Sequence, residues 1–571
     1  MKLPSNLSCI TCFLVALSAA TAASASPAKG TDPTETGFRN VGYFGNWDIY
    51  SRNFTIRDIP AENYTHLLYS FAKIDNSTGA VALDDEWADT DKHFPGDLWD
   101  DKNNVHGNIK QMFLVKKKQP TLKTMLSIGG WTYSPSFNEI LKSEAKRARF
   151  ASTALKLMYN YGFDGLNLDW EHIMTAEEGI QFVDLLKKMR HLMKEHAAST
   201  NSAPFLLSVA VTANPKYYKI MDIPAMDKYL DFWDFMAYDY AGSWDKTSGH
   251  QAALFFDSKN PSAAPFITET AMDYYLNDGK IHPSKMNLGL PLYGRAFVNT
   301  DGPGKSFEGV GDGSHVDASG DGKGVWDYKD LPFPGAVVTD LSDIGASYSY
   351  DVDKKMMVSY DTPNIARQKA KWIKDRGLGG AMWWQVDADK KGDESLVATV
   401  IEELGILEKS KNHLNYPQSE YENVKNGMEG DGEEVTTTEE EPEKKESLPQ
   451  KPEEHQEPST EVRIIASTSA VTPPPTSSSV PAPSPTQSEV MAGSTPTASE
   501  DLPNEEKGND EDGTEEGDHN EEESHNTANA SISGLKKTKN YGKKSASSAR
   551  LVPSTSQFGL VVAGGVLFFL L

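Results

Sequence analysis

Between Gly37 and Leu407, short runs of aromatic and β-branched residues alternate with stretches of helical periodicity, and this alternation limits the folds open to the chain. The strand-like runs are Val41 to Trp47, His66 to Phe71, Lys123 to Ile128, Gly165 to Glu171, Phe205 to Thr212, Phe232 to Tyr238, Met286 to Leu292 and Ala381 to Gln385. Between them lie helix starts with identifiable chemistry. Thr175 and Glu178 form a capping box ahead of Phe182, Leu185, Leu186, Met189, Leu192 and Met193. Thr362-Pro363 opens a helix that carries Ala366, Ala370 and Ile373 on one face and ends at Gly377. Strands separated by helices form parallel sheets, and eight of them close into an α/β fold of the (β/α)8 TIM barrel type. An open doubly wound sheet is the alternative. The glycine-rich stretch 298–350, between the seventh strand and the last helix, is expected to form a small α+β insertion.

The flanks differ in composition. Residues 1–25 read as a secretory signal peptide, with Lys2, an apolar stretch from Ile10 to Ala20, and small residues at the cleavage site. Cys9 and Cys12 both lie in that segment, so the exported chain is expected to fold without a disulfide, on a large core. Residues 409–548 are rich in Glu, Ser, Thr and Pro and are expected to be a disordered stalk, with or without O-linked sugar. Residues 549–571 end in the apolar run Phe558 to Leu571, shorter than the roughly 20 residues a membrane-spanning helix needs. Small residues from Ser545 to Ala549 followed by a spacer and a greasy tail match a GPI-anchor signal. The expected location is therefore secreted and lipid-tethered at the cell surface, with a terminal hydrophobic tail anchor as the rival. Asn53, Asn63, Asn76 and Asn529 open glycosylation sequons, which suits that route. Much of the formal charge of −26 sits in acidic runs of the tail, and no basic stripe invites nucleic acid.

The fourth strand carries the chemistry. In Asp164-Gly165-Leu166-Asn167-Leu168-Asp169-Trp170-Glu171, the apolar residues take one phase of a two-residue period and Asn167, Asp169 and Glu171 take the other. In a barrel the apolar phase packs on helices, so the polar phase points at the axis near the strand's C-terminal end, where barrel enzymes build their sites. Two acids side by side in a buried place cannot both ionise freely, which raises one toward the range a general acid needs. A structural role, in which the acids bind a cation or cap helices, is the alternative. No Cys or His cluster is apparent, so neither a metal nor any other cofactor is expected.

This strand resembles the signature of family 18 of the glycoside hydrolases, D-G-x-D-x-D-x-E, and the chain is similar to the fungal chitinases of that family from Asn40 to Leu407. Ser127-Ile128-Gly129-Gly130 resembles the strand-three motif, with Trp131 where relatives place an aromatic platform for the sugar beyond the scissile bond. Met236-Ala237-Tyr238-Asp239 resembles the strand-six motif, whose Tyr and Asp hold the acetamido group, and Tyr293-Gly294-Arg295 the strand-seven motif that contacts sugar hydroxyls. Trp384 matches the floor of the cleaved sugar's subsite, and Tyr43 and Phe71 match positions lining it. Tyr43, Phe71 and Trp383 are equally readable as core.

The resemblance implies a retaining chitinase that acts on polymers of β-1,4-linked N-acetylglucosamine, expected to work as a monomer without cofactor. Glu171 would protonate the glycosidic oxygen while the substrate's own N-acetyl carbonyl attacks the anomeric carbon. Asp169 would orient the acetamide nitrogen and Tyr238 would donate to its oxygen. A lectin on the same barrel, an endo-β-N-acetylglucosaminidase acting on N-glycans, and a spacer protein of the wall are the rival functions. The chain departs from the family pattern twice. Asn167 stands where Asp is usual, which should make Asp169 easier to ionise, and His172-Ile173 replaces Tyr-Pro.

Overall fold

The computed structural model describes residues 36–97, 99, 102–316, 320 and 322–429. The expected signal peptide and GPI-anchor segment, the sequon at Asn529 and nearly all of the expected stalk lie outside the described residues. Among the described residues no helix is long and apolar enough to cross a membrane.

Eight parallel strands form the centre: β1 (Arg39–Gly45), β2 (His66–Ile74), β3 (Lys123–Gly129), β4 (Gly165–Asp169), β5 (Leu206–Thr212), β6 (Phe232–Met236), β7 (Met286–Pro291) and β8 (Gly380–Trp384). Each pairs with the next, and β1 pairs with both β2 and β8, so the sheet closes on itself. This is the (β/α)8 barrel, and the open sheet is excluded. The longer helices are α1 (Gly107–Lys118), α2 (Gly130–Leu141), α3 (Glu144–Asn160), α4 (Ala176–Thr200), α5 (Pro363–Asp375) and α6 (Leu396–Leu404).

Helix starts follow the local chemistry. Thr175 Oγ1 accepts from the Glu178 amide at 3.2 Å, and Glu178 Oε2 accepts from the Thr175 amide at 3.0 Å, which satisfies two amides that no helical carbonyl can reach. The α4 face from Phe182 to Met193 is buried, apart from a half-buried Leu192. Thr362 caps α5, and Ala366, Ala370 and Ile373 are buried as its period requires.

The insertion is an antiparallel sheet of five strands, in the order Val325–Asp327, Tyr293–Phe297, Met356–Ser359, Ala346–Asp351, Val337–Leu341, with a 3-10 turn at Tyr328–Asp330. It begins at Tyr293 and closes at Ser359, outside the 298–350 bounds expected from glycine content, because two of its three inner strands, Tyr293–Phe297 and Met356–Ser359, flank the glycine-rich stretch.

A second boundary is corrected. The stalk was expected to start at Lys409, yet residues 409–429 are packed against the barrel. Tyr416, Val424 and Met428 are buried, and Asn412 Nδ2 donates to the carbonyls of Lys116, Gln119 and Leu122. The segment looks like a linker because many of its buried groups are polar and spend their polarity on backbone partners.

Candidate active site

The phase of β4 is as expected. Leu166 and Leu168 are fully buried on the helix side, and Trp170 packs on Phe137 and Phe182 at 5.6 and 5.1 Å between ring centroids. Asn167 and Asp169 point into the barrel, and Glu171 follows the strand end, half-buried. Ser134 at the start of α2 holds this end, its Oγ accepting from the Glu171 amide at 2.9 Å.

Asn167 is fully engaged. Its Oδ1 accepts from Ser127 Oγ at 2.8 Å and Tyr43 OH at 3.2 Å, and its Nδ2 donates to Ser208 Oγ at 2.8 Å and Asp234 Oδ2 at 3.4 Å. Asp169 is nearly buried, and its Oδ1 has no hydrogen-bond partner among the described residues. Burial, and after it the charge of Asp234, push its carboxyl up. The expectation that Asn167 leaves Asp169 easy to ionise is therefore offset by a carboxylate on another strand. Glu171 is raised well above the usual carboxyl range by desolvation first, then by Asp169 and Asp239. Asp234 is itself pushed up to about 7 by burial, against the opposing pull of Asn287 and Arg39.

Two glycines let the strands close on these acids. A Cβ on Gly129, at φ +115°, would stand 2.2 Å from the Asp169 carbonyl oxygen, and one on Gly130, at φ +72°, would stand 2.6 Å from the Phe71 ring. The chain then turns into α2, and Trp131 meets the His172 ring edge-on at 4.4 Å. His172 is half-buried and its imidazole is lowered by desolvation first and by Lys216 second, so it is a neutral packing partner.

Aromatic rings gather around Tyr43 and Tyr238, both near enough for the charge of Asp169 to act on their phenols. Trp384 lies 5.4 Å from Tyr43 and is stacked on Phe71 at 5.8 Å. Trp47, which the motifs had not singled out, joins them at 6.1 Å from Phe71 and 6.3 Å from Trp384. Met236 and Tyr238 pack into the same group, where Tyr238 OH lies 3.7 Å from Met382 Sδ. Burial holds the Tyr238 phenol well above its usual range, so it stays a neutral donor. Trp383 is core, fully buried with its Nε1 donating to Asn40 Oδ1 at 2.7 Å.

The motifs of strands six and seven meet at Asp239, which sits at φ +60°. Its Oδ1 accepts from Tyr293 OH at 2.5 Å and Arg295 Nε at 2.6 Å, and the Arg295 guanidinium lies 4.7 Å from the centre of Trp244. These contacts link twelve of the thirteen candidate residues, Trp131 meeting His172 instead, and add Trp47, Ser134, Asp234 and Trp244 to the group. Asp234 was detectable: it shares the two-residue phase of Met236 and Tyr238.

The absence of a histidine cluster needs correction, because among the described residues folding assembles two groups that sequence separates. They are His93 with Asp97 and His106, and His315 with Asp327 and Asp387. In both, cations already serve the carboxylates: Lys110 lies 2.9 Å from Asp97, Arg52 lies 3.2 Å from Asp327 and 2.8 Å from Asp387, and Lys329 lies 2.9 Å from Asp327.

The profile described as "Glycosyl hydrolases family 18" matches residues 39–389. Chitinase 1 of Aphanocladium album is 41% identical over 420 residues, which cover 73% of this chain and 97% of that protein. Endochitinase 1 of Metarhizium robertsii (strain ARSEF 23 / ATCC MYA-3075) is also 41% identical, over 425 residues covering 74% and 98%. Among solved structures, the catalytic domain of psychrophilic chitinase B from Arthrobacter TAD20 superposes with a TM-score of 0.60 at 29% identity, covering 66% of this chain and 98% of that one. The family match opens on the first residue of β1 and ends just beyond β8, so it takes in the whole barrel, and the chain belongs to family 18 of the glycosyl hydrolases.

Proposed function

We propose that this chain is a retaining chitinase, hydrolysing β-1,4-linked N-acetylglucosamine polymers by substrate-assisted catalysis with Glu171 as general acid and then base. The observation that carries the reading is the pairing of a half-buried Glu171, its proton affinity raised, with a buried Asp169 whose Oδ1 is free to accept a bond, beside the aromatic trough. An acid kept protonated near neutral pH can donate to a leaving oxygen. The relatives named chitinases support the substrate class.

In this reading a sugar lies on Trp384 with its acetamido group between Asp169 and Tyr238. Glu171 protonates the bridging oxygen, and the C–O bond breaks as the acetamide carbonyl oxygen bonds to the anomeric carbon. Asp169 Oδ1 accepts the acetamide N–H as positive charge develops, and Tyr238 turns its OH from a weak sulfur acceptor to the acetamide oxygen. Such interactions strengthen in the transition state and so raise turnover more than binding. Water then opens the oxazolinium ion, giving up a proton to Glu171, with net retention. Arg295 and Asp239 hold sugar hydroxyl and acetamido groups, Tyr43, Phe71, Gly130 and Met236 shape the pocket, and Trp131 carries the sugar beyond the scissile bond. A secreted, lipid-tethered monomer completes the proposal, and release from cells by a phosphatidylinositol-specific phospholipase tests the tether.

The decisive experiment compares the parent and Glu171→Gln on chitin oligomers and on an N-glycoprotein. Oligomers should be cut with the β anomer formed first, and the variant should bind them but turn over roughly 10²- to 10⁴-fold more slowly. Unchanged hydrolysis by the variant removes Glu171 from its role, and cleavage confined to the glycoprotein moves the substrate to N-glycans.

A further inference from the structure

The register of the barrel places Asp169 opposite Ala210 on β5, and Ala210 opposite Asp234 on β6. The two acids therefore occupy one layer on alternate strands, with only a methyl group between them. Asn167 bridges toward Asp234 from below through its Nδ2, at 3.4 Å. Asp234 is fully buried, and its other oxygen accepts from Asn287 Nδ2 at 2.9 Å, while Asn287 Oδ1 accepts from Arg39 Nε at 3.0 Å. A continuous hydrogen-bonded line thus runs from Asn167 through Asp234 and Asn287 to Arg39 at the base of the barrel. Position 167, where the family signature usually carries an acid, holds an amide in this chain, and the missing carboxylate reappears across the axis in hydrogen-bonding contact with it.

We propose that Asp234 is a positioning residue for the reaction: it supplies, from β6, the second central negative charge that Asn167 does not, and through it governs when Asp169 ionises. The inference rests on the chitinase reading above. The titratable and charged groups turned toward Asp234 are Arg39 and Tyr43 on β1 and Asp169 on β4. Lower down, His66 of β2 lies against Phe232 and is held neutral by burial. From the layer below, β3 and β5 turn the neutral Ser127 and Ser208 toward Asn167, while β5 and β7 bring Ala210 and Asn287 to the layer of the two acids. Arg39 partly offsets Asp234 from below, and only Ala210 stands between Asp234 and Asp169 in register.

The direction of the effect follows. Asp169 must be ionised to accept the acetamide N–H, so its titration sets the acid limb of kcat/KM. A like charge nearby resists that ionisation, typically by a pH unit or more. Asp234→Asn should therefore move the acid limb about one unit toward lower pH. Asn167→Asp, which adds a carboxylate directly beside Asp169, should move it to higher pH. The exchange variant Asn167→Asp/Asp234→Asn keeps one carboxylate and one amide in contact and should return the limb close to that of the parent.

The test is the pH profile of kcat/KM on a soluble chitin oligomer for these three variants, with thermal melting as a check of folding and Glu171→Gln alongside. A limb that stays in place in Asp234→Asn while turnover and melting temperature fall uniformly with pH overturns the proposal, since a merely structural Asp234 would behave so. If Asp234→Asn alone does not fold, the exchange variant and Asn167→Asp decide through the same limb: a limb raised in both overturns it. Hydrolysis retained by Glu171→Gln would instead bring down the chitinase reading itself, so the two failures are separable.

Discussion

Two aspartates five residues apart, at opposite ends of β4, are buried in opposite ways. Asp164, just before the strand, accepts from the amides of Thr124 and His413 at 2.7 and 2.6 Å and from Lys116 Nζ at 3.0 Å. Asp169, at the other end, keeps one oxygen without a partner and faces further acids. Burial of a carboxylate is unfavourable in both places. At the base the cost is offset by a cation and two amides, and Asp164 ties α1, β3, β4 and the segment after α6 together. At the mouth it is left largely uncompensated and is expressed as raised proton affinity, which is what chemistry on a sugar can use. One strand thus carries a structural acid and a reactive one, distinguished only by what the neighbouring elements bring to them.

The largest effect should come from breaking the compensated end. Lys116 is fully buried, with its Nζ also 2.9 Å from Tyr416 OH, so Lys116→Met leaves Asp164 buried without its cation. Urea unfolding should show a loss of about 3–5 kcal/mol, with the turnover of the remaining folded protein unchanged. A loss in turnover without a loss in stability would deny the division between the two ends.

Neutralising the reactive acid should do the reverse. A carboxyl whose folded-state affinity for protons exceeds its unfolded value is most favourable to folding when protonated, and stability is lost as pH rises between the two values. For Asp169 that window runs from the ordinary Asp range, near 4, to about 7. Asp169→Asn should therefore stabilise the protein at pH 8, on the order of 1–3 kcal/mol, while hydrolysis collapses, and the gain should vanish by pH 4. A gain that persists unchanged at pH 4 would have another origin.

The same contrast explains what could be read from sequence. The barrel was legible because each strand follows its own periodicity, and the candidate site residues because most stand in short motifs near strand ends while Tyr43 and Phe71 fall at positions picked out by resemblance. Asp234 lay two residues before such a motif, and its meaning depends on a neighbour across the barrel, which no local pattern reports. Trp47 reads as the end of the first strand, but β1 stops at Gly45 and a 3-10 turn over Asn46–Ile49 sets the direction of its ring, which strand phase does not report. Residues 409–429 looked like linker because Asn412, Ser419 and Asn423 are polar, and only the structure shows Ser419 and Asn423 buried, Asn412 half-buried, and all three bonded to backbone.

The smallest expected effect concerns the other departure from the family pattern, at His172. Its ring meets Trp131 edge-on at 4.4 Å, an arrangement worth roughly 0.5–1.5 kcal/mol in aromatic pairs. Desolvation, and after it the charge of Lys216, keep the imidazole uncharged, so it serves to hold the platform rather than to move a proton. His172→Ala should raise KM about two- to tenfold for oligomers long enough to reach past the scissile bond, with kcat and the pH profile little changed, and His172→Phe should restore the parent KM. Steady-state kinetics on a series of oligomer lengths would separate this from proton transfer: a fall in kcat with a displaced pH limb, unrescued by Phe, would make His172 part of the reactive end after all.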